Sequence, residues 1–333
     1  MGSAIAMSTR FRVFTWHVHG NYLYYLAQCN HDFVVPVKEG RPAGYGGRCG
    51  TLPWPDNLLE VDAAEIKSLR LDCLLFQSRK NYEVDQYEIL SEAQRQLPRI
   101  YLEHDPPRET PTDTRHPVND NETLLVHVTH FNDLMWDNGV TPTRVIEHGV
   151  KVPPAIATNA RPARGVTVVN GLKQRGRRLG WDVFERVRQE VPIDLIGMQS
   201  EELGGLGEIP YQQLPSFLSR YRFFFNPIRY TSLGLAVCEA MMCGLPVVGL
   251  ATTEMVTAVE NGVSGYVSTD VGSLIEVMKR LLADPDEAQR LGEGAHRRAR
   301  ERFAIERFIG DWDEAFRFVC GAGLQVGASS TSQ

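Results

Sequence analysis

The sequence predicts an α/β protein built from two Rossmann-like, doubly wound domains that face a cleft. Three observations carry that expectation. Short apolar runs alternate with helical patterns along most of the chain, as strands joined by crossover helices do in a parallel sheet. The 333 residues suffice for two domains that each bury a core. Between the halves, the stretch from Val150 to Arg164 holds three prolines and little periodicity, which reads as a linker.

In the first half the pattern predicts strands at 12–16, 32–37, 72–77, 99–103, 124–129 and 144–147, with helices at 21–29, 62–68 and 85–96. In the second half it predicts strands at 165–170, 193–197, 221–226, 246–249 and 265–267. Helices there are expected at 181–190, 210–218, 233–242, 271–283, 285–304 and 305–319. The expected domains are 1–149 and 150–304, with a last helix, 305–320, returning to the first domain. The small, polar residues 321–333 read as a disordered tail. The glycine-rich stretch 40–55 is an irregular loop, either functional or a variable surface insert.

Composition narrows the function. Hydrophobic residues make up 43% and charged residues 23%, which is globular rather than disordered. A net charge of -6 argues against a nucleic-acid partner, so any phosphate site must be local. Six cysteines without a Cys-x-x-Cys pair, and no apolar run near the roughly 20 residues of a membrane span, suggest reduced thiols in a cytoplasmic protein.

The most informative segment runs from Tyr221 to Val248. A buried strand ends at Asn226-Pro227, Ser232 is placed to cap a helix, and Gly244 and Pro246 end that helix. Free amides at Leu233, Gly234 and Leu235, with the helix dipole behind them, suit a diphosphate. Glu239, one turn beyond Leu235, is placed to accept ribose hydroxyls; the bland alternative is a capped core helix with one tolerated glutamate. A second segment, Asn170-Gly-Leu-Lys173-Gln-Arg175-Gly176-Arg177-Arg178, lies between a strand and a helix. Cations there oppose the helix dipole, which points to an anion rather than a solvated helix start.

The first segment resembles the donor-binding motif of retaining GT-B glycosyltransferases, specifically glycosyltransferase family 4. The resemblance rests on Glu239-Ala240-Met241, Gly244-Leu245-Pro246-Val247-Val248 and the later Glu254 and Val259–Tyr266. Val145–Val150 resembles the family's interdomain segment. The likeness is good across the C-terminal half and weak in the N-terminal half. It implies GT-B architecture, a nucleoside-diphosphate sugar (UDP-, GDP- or ADP-linked) as donor, an unidentified acceptor, and transfer with retention. It also implies a ribose role for Glu239 and diphosphate roles for the positions of Asn170 and Arg175, where the family has arginine and lysine, with Lys173, Arg177 or Arg178 replacing the missing arginine. Thr231 stands where the family has its first donor-site glutamate, which removes a charged acceptor for the sugar. Ser232, Leu233, Gly234 and Leu235 complete the implied donor site.

In the N-terminal half, Glu103-His104-Asp105 resembles the family's strand-end His-Asp, which makes His104 the implied catalytic contact beside Arg175. His17, His19, Gly20 and Asp105 are acceptor-side candidates, and His127 and His130 read as cleft or core histidines. No metal site and no cofactor are expected, because the two Asp-x-Asp matches, Asp284/Asp286 and Asp311/Asp313, fall in helical segments. The run Arg297, Arg298, Arg300, Arg302 reads as a solvated helix face, with a peripheral membrane contact as the alternative. A nucleotide-sugar-binding protein without catalysis and a GT-B-type sugar epimerase are the rival functions.

Overall fold

In the computed structural model, which describes residues 10–50, 52–152 and 163–321, the strand signal becomes two wholly parallel sheets. The first comprises β1 (Arg12–Thr15), β2 (Asp32–Val37), β3 (Leu58–Asp62), β4 (Cys73–Phe76), β5 (Arg99–Glu103), β6 (Thr123–His127) and β7 (Thr143–Val145). Its spatial order is β3-β2-β1-β4-β5-β6-β7. The second comprises β8 (Gly165–Val168), β9 (Ile193–Ile196), β10 (Phe223–Asn226), β11 (Val247–Leu250) and β12 (Gly265–Ser268), ordered β12-β11-β10-β8-β9. Strands such as Phe223-Phe224-Phe225 are buried on both faces, which is why they read as unbroken apolar runs.

Strand order reverses between β1 and β4 in the first sheet and between β8 and β10 in the second. Ligands in open parallel sheets bind at such switch points, beyond the carboxyl ends of the strands. The loops there carry His17–Gly20 and Gln77 on one side, and Asn170–Arg178 and Pro227–Leu235 on the other. The two C-terminal-side loops touch, because Gly180 (φ 80°) lies where a Cβ would be 1.8 Å from the Pro227 carbonyl oxygen.

The helices are α1 (Gly20–Leu26), α2 (Gln86–Ile89), α3 (His130–Met135), α4 (Trp181–Arg188), α5 (Leu214–Leu218), α6 (Leu235–Met242), α7 (Met255–Ala258), α8 (Val271–Ala283), α9 (Pro285–Arg302) and α10 (Ile305–Gly321). The long amphipathic ones match the predicted spans closely. Several short elements differ. The helix expected at 85–96 breaks at Leu90, where Ser91 and Gln94 cap each other (Ser91 N to Gln94 Oε1, 2.9 Å; Gln94 N to Ser91 Oγ, 3.2 Å) and start a separate 3-10 turn. The helix expected at 62–68 shrinks to a 3-10 turn at Ile66–Ser68 preceded by edge strand β3, and α3 was not expected. The linker residues 153–162 and the tail 322–333 lie outside the described residues.

α10 returns to the first sheet's helices. Trp312 Nε1 donates to Tyr22 Oη at 3.2 Å, His31 Nε2 lies 3.1 Å from Asp313 Oδ1, and the His31 and Phe316 rings meet edge to face. The two chain crossings run side by side, with Val150 N donating to the Phe303 carbonyl at 3.0 Å. A Cβ on Gly149 would lie 2.1 Å from Phe308 Cβ, so only glycine fits where α10 passes. Gly149→Ala is therefore expected to cost about 1–3 kcal/mol, the scale of overpacking a tight contact, read as a lowered melting temperature. An unchanged melt would show that the crossings are loosely packed.

Candidate functional site

The anion loop differs from its expected form in one respect. α6 begins at Leu235 with Gly234 as its N-cap (φ -67°, ψ 136°), and Ser232, buried two residues earlier, makes no capping bond among the described residues. Leu233 and the extended Gly234 separate Ser232 from the start of α6, and the Ser232 carbonyl accepts from Thr253 Oγ1 at 3.3 Å. Nothing lies within 4 Å of where a Gly234 Cβ would be, so the start of α6 is open to close approach. Thr231, half-buried beside it, makes no side-chain hydrogen bond among the described residues.

A continuous set of contacts crosses the cleft from this loop. His148 Nε2 lies 2.6 Å from the Leu233 carbonyl, to which it donates, and its buried Nδ1 has no partner; burial drives its pKa down to about 4. His148 meets Tyr22 edge to face, Tyr22 meets His104, and His104 meets His19 with ring centroids 4.3 Å apart. Burial holds the pKa of His104 well below its ordinary value, and the neighbouring imidazoles of His19 and His148 add to the effect. The amide of Gln77 donates to Thr15 Oγ1 (2.9 Å) and the Trp16 carbonyl (2.8 Å), so its oxygen faces His104 Nε2 at 3.1 Å. That network assigns the proton to Nε2 and leaves the neutral ring's Nδ1 as an acceptor.

Beyond His19 the cleft is cationic. Arg175 makes no ion pair or side-chain hydrogen bond among the described residues; burial lowers its pKa, opposed by Asp105. Arg178 has a lowered pKa from burial and then from Arg108, and its Nη1 reaches the Tyr230 carbonyl at 3.4 Å. Arg177 does not join them, because Asp182 holds it at 2.6 Å and Asp182 is shared with Arg229. Asn170 is committed in part, its Oδ1 accepting from Met198 N at 2.9 Å, and Lys173 is exposed. Arg108 and Tyr230 escaped the sequence reading; the available signal was a cation directly after the Pro106-Pro107 turn.

His17 is spent on the glycine-rich loop, where Nδ1 bonds the Gly47 carbonyl and Cys49 Sγ packs on the ring. His19 and Gly20 open α1, and Asp105 pairs with Arg108 at 2.5 Å. His127 is a core histidine bonded to Asn138 Oδ1 at 3.0 Å. His130 lines a groove of about 670 Å³ between α3 and α7, together with Phe131, Leu134 and Val256. Of the arginine run, Arg297 and Arg300 are exposed as expected of a solvated face, whereas Arg298 and Arg302 line that groove. Arg302 turns inward to pair with Glu147 and Glu254, and Arg298 bonds the Ala258 carbonyl. Phe131 N donates to Glu254 at 3.0 Å, so the cluster ties α3 to the second sheet. Of the Asp-x-Asp residues, Asp284 caps α9 and Asp311 pairs with Arg307.

Glu239 is 3% exposed and faces the N-terminal domain: Tyr25 Oη donates to it at 2.8 Å and Asn21 Nδ2 lies at 3.5 Å. Burial raises its pKa, and those two hydrogen bonds oppose the rise. A carboxyl whose pKa is higher folded than unfolded binds more protons in the folded state between the two values. Stability therefore falls as pH climbs through that window, and the cost is fully present above it. Glu239→Gln, which keeps an acceptor for Tyr25, is expected to melt higher than wild type at pH 7, with the gain shrinking as pH is lowered towards 4.5. A gain that grows on acidification would refute this account.

The trehalose synthase of Thermococcus litoralis is 28% identical over 130 residues, 39% of this chain, and the match spans only 31% of that protein's length. Over nearly the whole chain the fold is shared with sucrose-phosphate synthase from Thermosynechococcus elongatus, at a TM-score of 0.68, 15% identity, 93% of this chain and 99% of that one. It is also shared with Anabaena HepE in complex with UDP-glucose, at 0.67, 14%, 93% and 100%. Residues 181–284 match the family described as Glycosyl transferases group 1, and the fold of the two facing sheets is that of GT-B glycosyltransferases.

Proposed function

We propose that this protein is a glycosyltransferase that moves a sugar from a nucleoside-diphosphate sugar to an acceptor, with retention at the anomeric carbon and without a metal. The observation that carries the reading is the opposition, across one cleft, of Arg175 and the open start of α6 to neutral His104. As the glycosidic bond breaks, charge gathers on the leaving diphosphate. Arg175 and the amides near Leu235 stabilise that charge more in the transition state than in the ground state. His104 Nδ1 accepts a hydrogen bond from a sugar hydroxyl, and the leaving phosphate takes the acceptor's proton. The ribose takes the place of the Tyr25 hydroxyl against Glu239. UDP-sugars are the first donors to try, because HepE is solved with UDP-glucose.

The test is a thermal-shift screen with UDP-, GDP- and ADP-sugars, followed by release of nucleoside diphosphate with and without EDTA. One base should stabilise the fold, by about 2.7 kcal/mol at 100 times its dissociation constant. Turnover should survive EDTA. With Thr231 in place of a carboxylate, nucleoside diphosphate alone should bind within about tenfold of the donor, or 1.4 kcal/mol. No shift with any nucleotide sugar would overturn the reading, and activity lost in EDTA and restored by Mn²⁺ would overturn its metal-free part.

A further inference from the structure

Three guanidinium groups lie within electrostatic reach of one another where the two domains meet, and they come from both. Arg175 and Arg178 belong to the loop after β8, whereas Arg108 follows β5 in the other domain. The segment bearing Arg108 is held in place by contacts on each side: Tyr230 Oη donates to the Pro107 carbonyl at 2.9 Å, and Trp136 Nε1 donates to the Asp105 carbonyl at 2.9 Å. Tyr230 is in turn fastened to Arg178, whose carbonyl accepts from Arg229 N and Tyr230 N at 3.0 and 3.2 Å. The backbone just before Arg108 is thus held against the loop that bears the other two cations, while its half-exposed side chain is free to turn.

Charge accounting at this point is uneven. Among the described residues, Asp105 is the carboxylate that acts on all three guanidiniums, and it is directly paired with Arg108 alone, at 2.5 Å. One negative charge against three positive ones leaves a deficit that a dianion would fill. Like charges held together without a counter-ion repel, and a protein retains such an arrangement where a ligand supplies the missing charge. The Arg108–Asp105 pair is half-exposed and therefore weak, so exchange of Asp105 for a phosphate costs little.

We propose that Arg108 is a phosphate-binding residue, lent by the N-terminal domain to the diphosphate that Arg175 and Arg178 hold from the other side, and that it leaves Asp105 to do so. The inference rests on the donor-site reading above and deepens it. The diphosphate then acts as an electrostatic clamp across the cleft, and Asp105 is released beside His19 and His104, on the acceptor side. A phosphate carried by the acceptor would meet the same guanidinium, so the experiment separates the two sources.

Calorimetry with uridine, UDP and glucose 6-phosphate on wild type, Arg108→Gln, Arg108→Lys, Asp105→Asn and the Arg108→Gln/Asp105→Asn double variant tests the assignment. Arg108→Gln should weaken UDP by about tenfold or more while leaving uridine unchanged, as expected for loss of a charge-assisted bond to phosphate, and Arg108→Lys should fall between. Asp105→Asn should tighten UDP, and that gain should shrink in the Arg108→Gln background because the ion pair is then already gone. Melting curves check that the half-exposed Arg108 variants remain folded. UDP binding to Arg108→Gln within twofold of wild type would overturn the role, and an Asp105→Asn gain of equal size in both backgrounds would overturn the exchange. A variant that keeps UDP and loses only glucose 6-phosphate, added with UDP at saturation, would overturn the donor assignment. Wild type binding none of UDP, GDP and ADP would sink the donor-site reading itself, and this inference with it.

Discussion

Arg175→Ala should reduce turnover by about 10²–10³, equivalent to 2.7–4 kcal/mol, the range found when one preorganised donor to a developing negative charge is removed. The physical basis is that Arg175 is exposed and has no ion partner among the described residues, while partial burial already lowers its pKa, so its guanidinium is open to a phosphate. Affinity for the intact donor should fall less than for free nucleoside diphosphate, because the full terminal charge develops only as the sugar departs. Turnover should fall most. Separate measurement of kcat, donor affinity and diphosphate affinity distinguishes these effects. Equal losses in all three would mean that Arg175 binds ground and transition states alike.

Trp312→Ala should cost about 3–5 kcal/mol, as large aromatic truncations in cores do. Trp312 is fully buried on α10, packs against Phe316 with ring centroids 5.3 Å apart, and donates its indole N–H to Tyr22. Its loss opens a cavity and orphans that hydroxyl. Tyr22 also touches His104 and His148, so the variant should lose activity even at temperatures where it stays folded. Denaturant titration followed by near-ultraviolet dichroism gives the stability, and assays well below the melt give the second effect. A cost under about 1 kcal/mol would show that α10 is not the brace its contacts indicate, since even Ile→Val truncations in cores approach that value.

Legibility differed between elements for identifiable reasons. The buried strands and the amphipathic helices α8, α9 and α10 carry their own periodicity, so their spans were readable within a few residues. Edge strand β3 was not, because every residue after the buried Leu58 is at least partly exposed and Leu58-Leu59-Glu60-Val61-Asp62 mixes apolar and charged positions. The break at Leu90 depends on a reciprocal cap between Ser91 and Gln94 that a helical periodicity count ignores. Among site candidates, strand-end position and an electrostatically awkward cation are the local signals that singled out the Leu233–Leu235 loop and Arg175, and both are open to a ligand. Arg177 was legible as a cation but not as a partner of Asp182, which also takes Arg229 from 47 residues further on.

By itself the sequence determined two parallel sheets and the strand ends that form a cleft. Each of these follows from residue spacing within a few tens of positions. Only the tertiary structure decided which groups meet across the cleft. Glu239 is joined by Tyr25, 214 positions away, Arg178 is approached by Arg108, and His148 grips the Leu233 carbonyl across 85 positions. Hydrogen bonds reach about 3 Å and screened charge effects about 10 Å in space, whatever the separation along the chain. The partners of a cleft residue are therefore set by how the two sheets pack and where α10 crosses, and no local pattern records that.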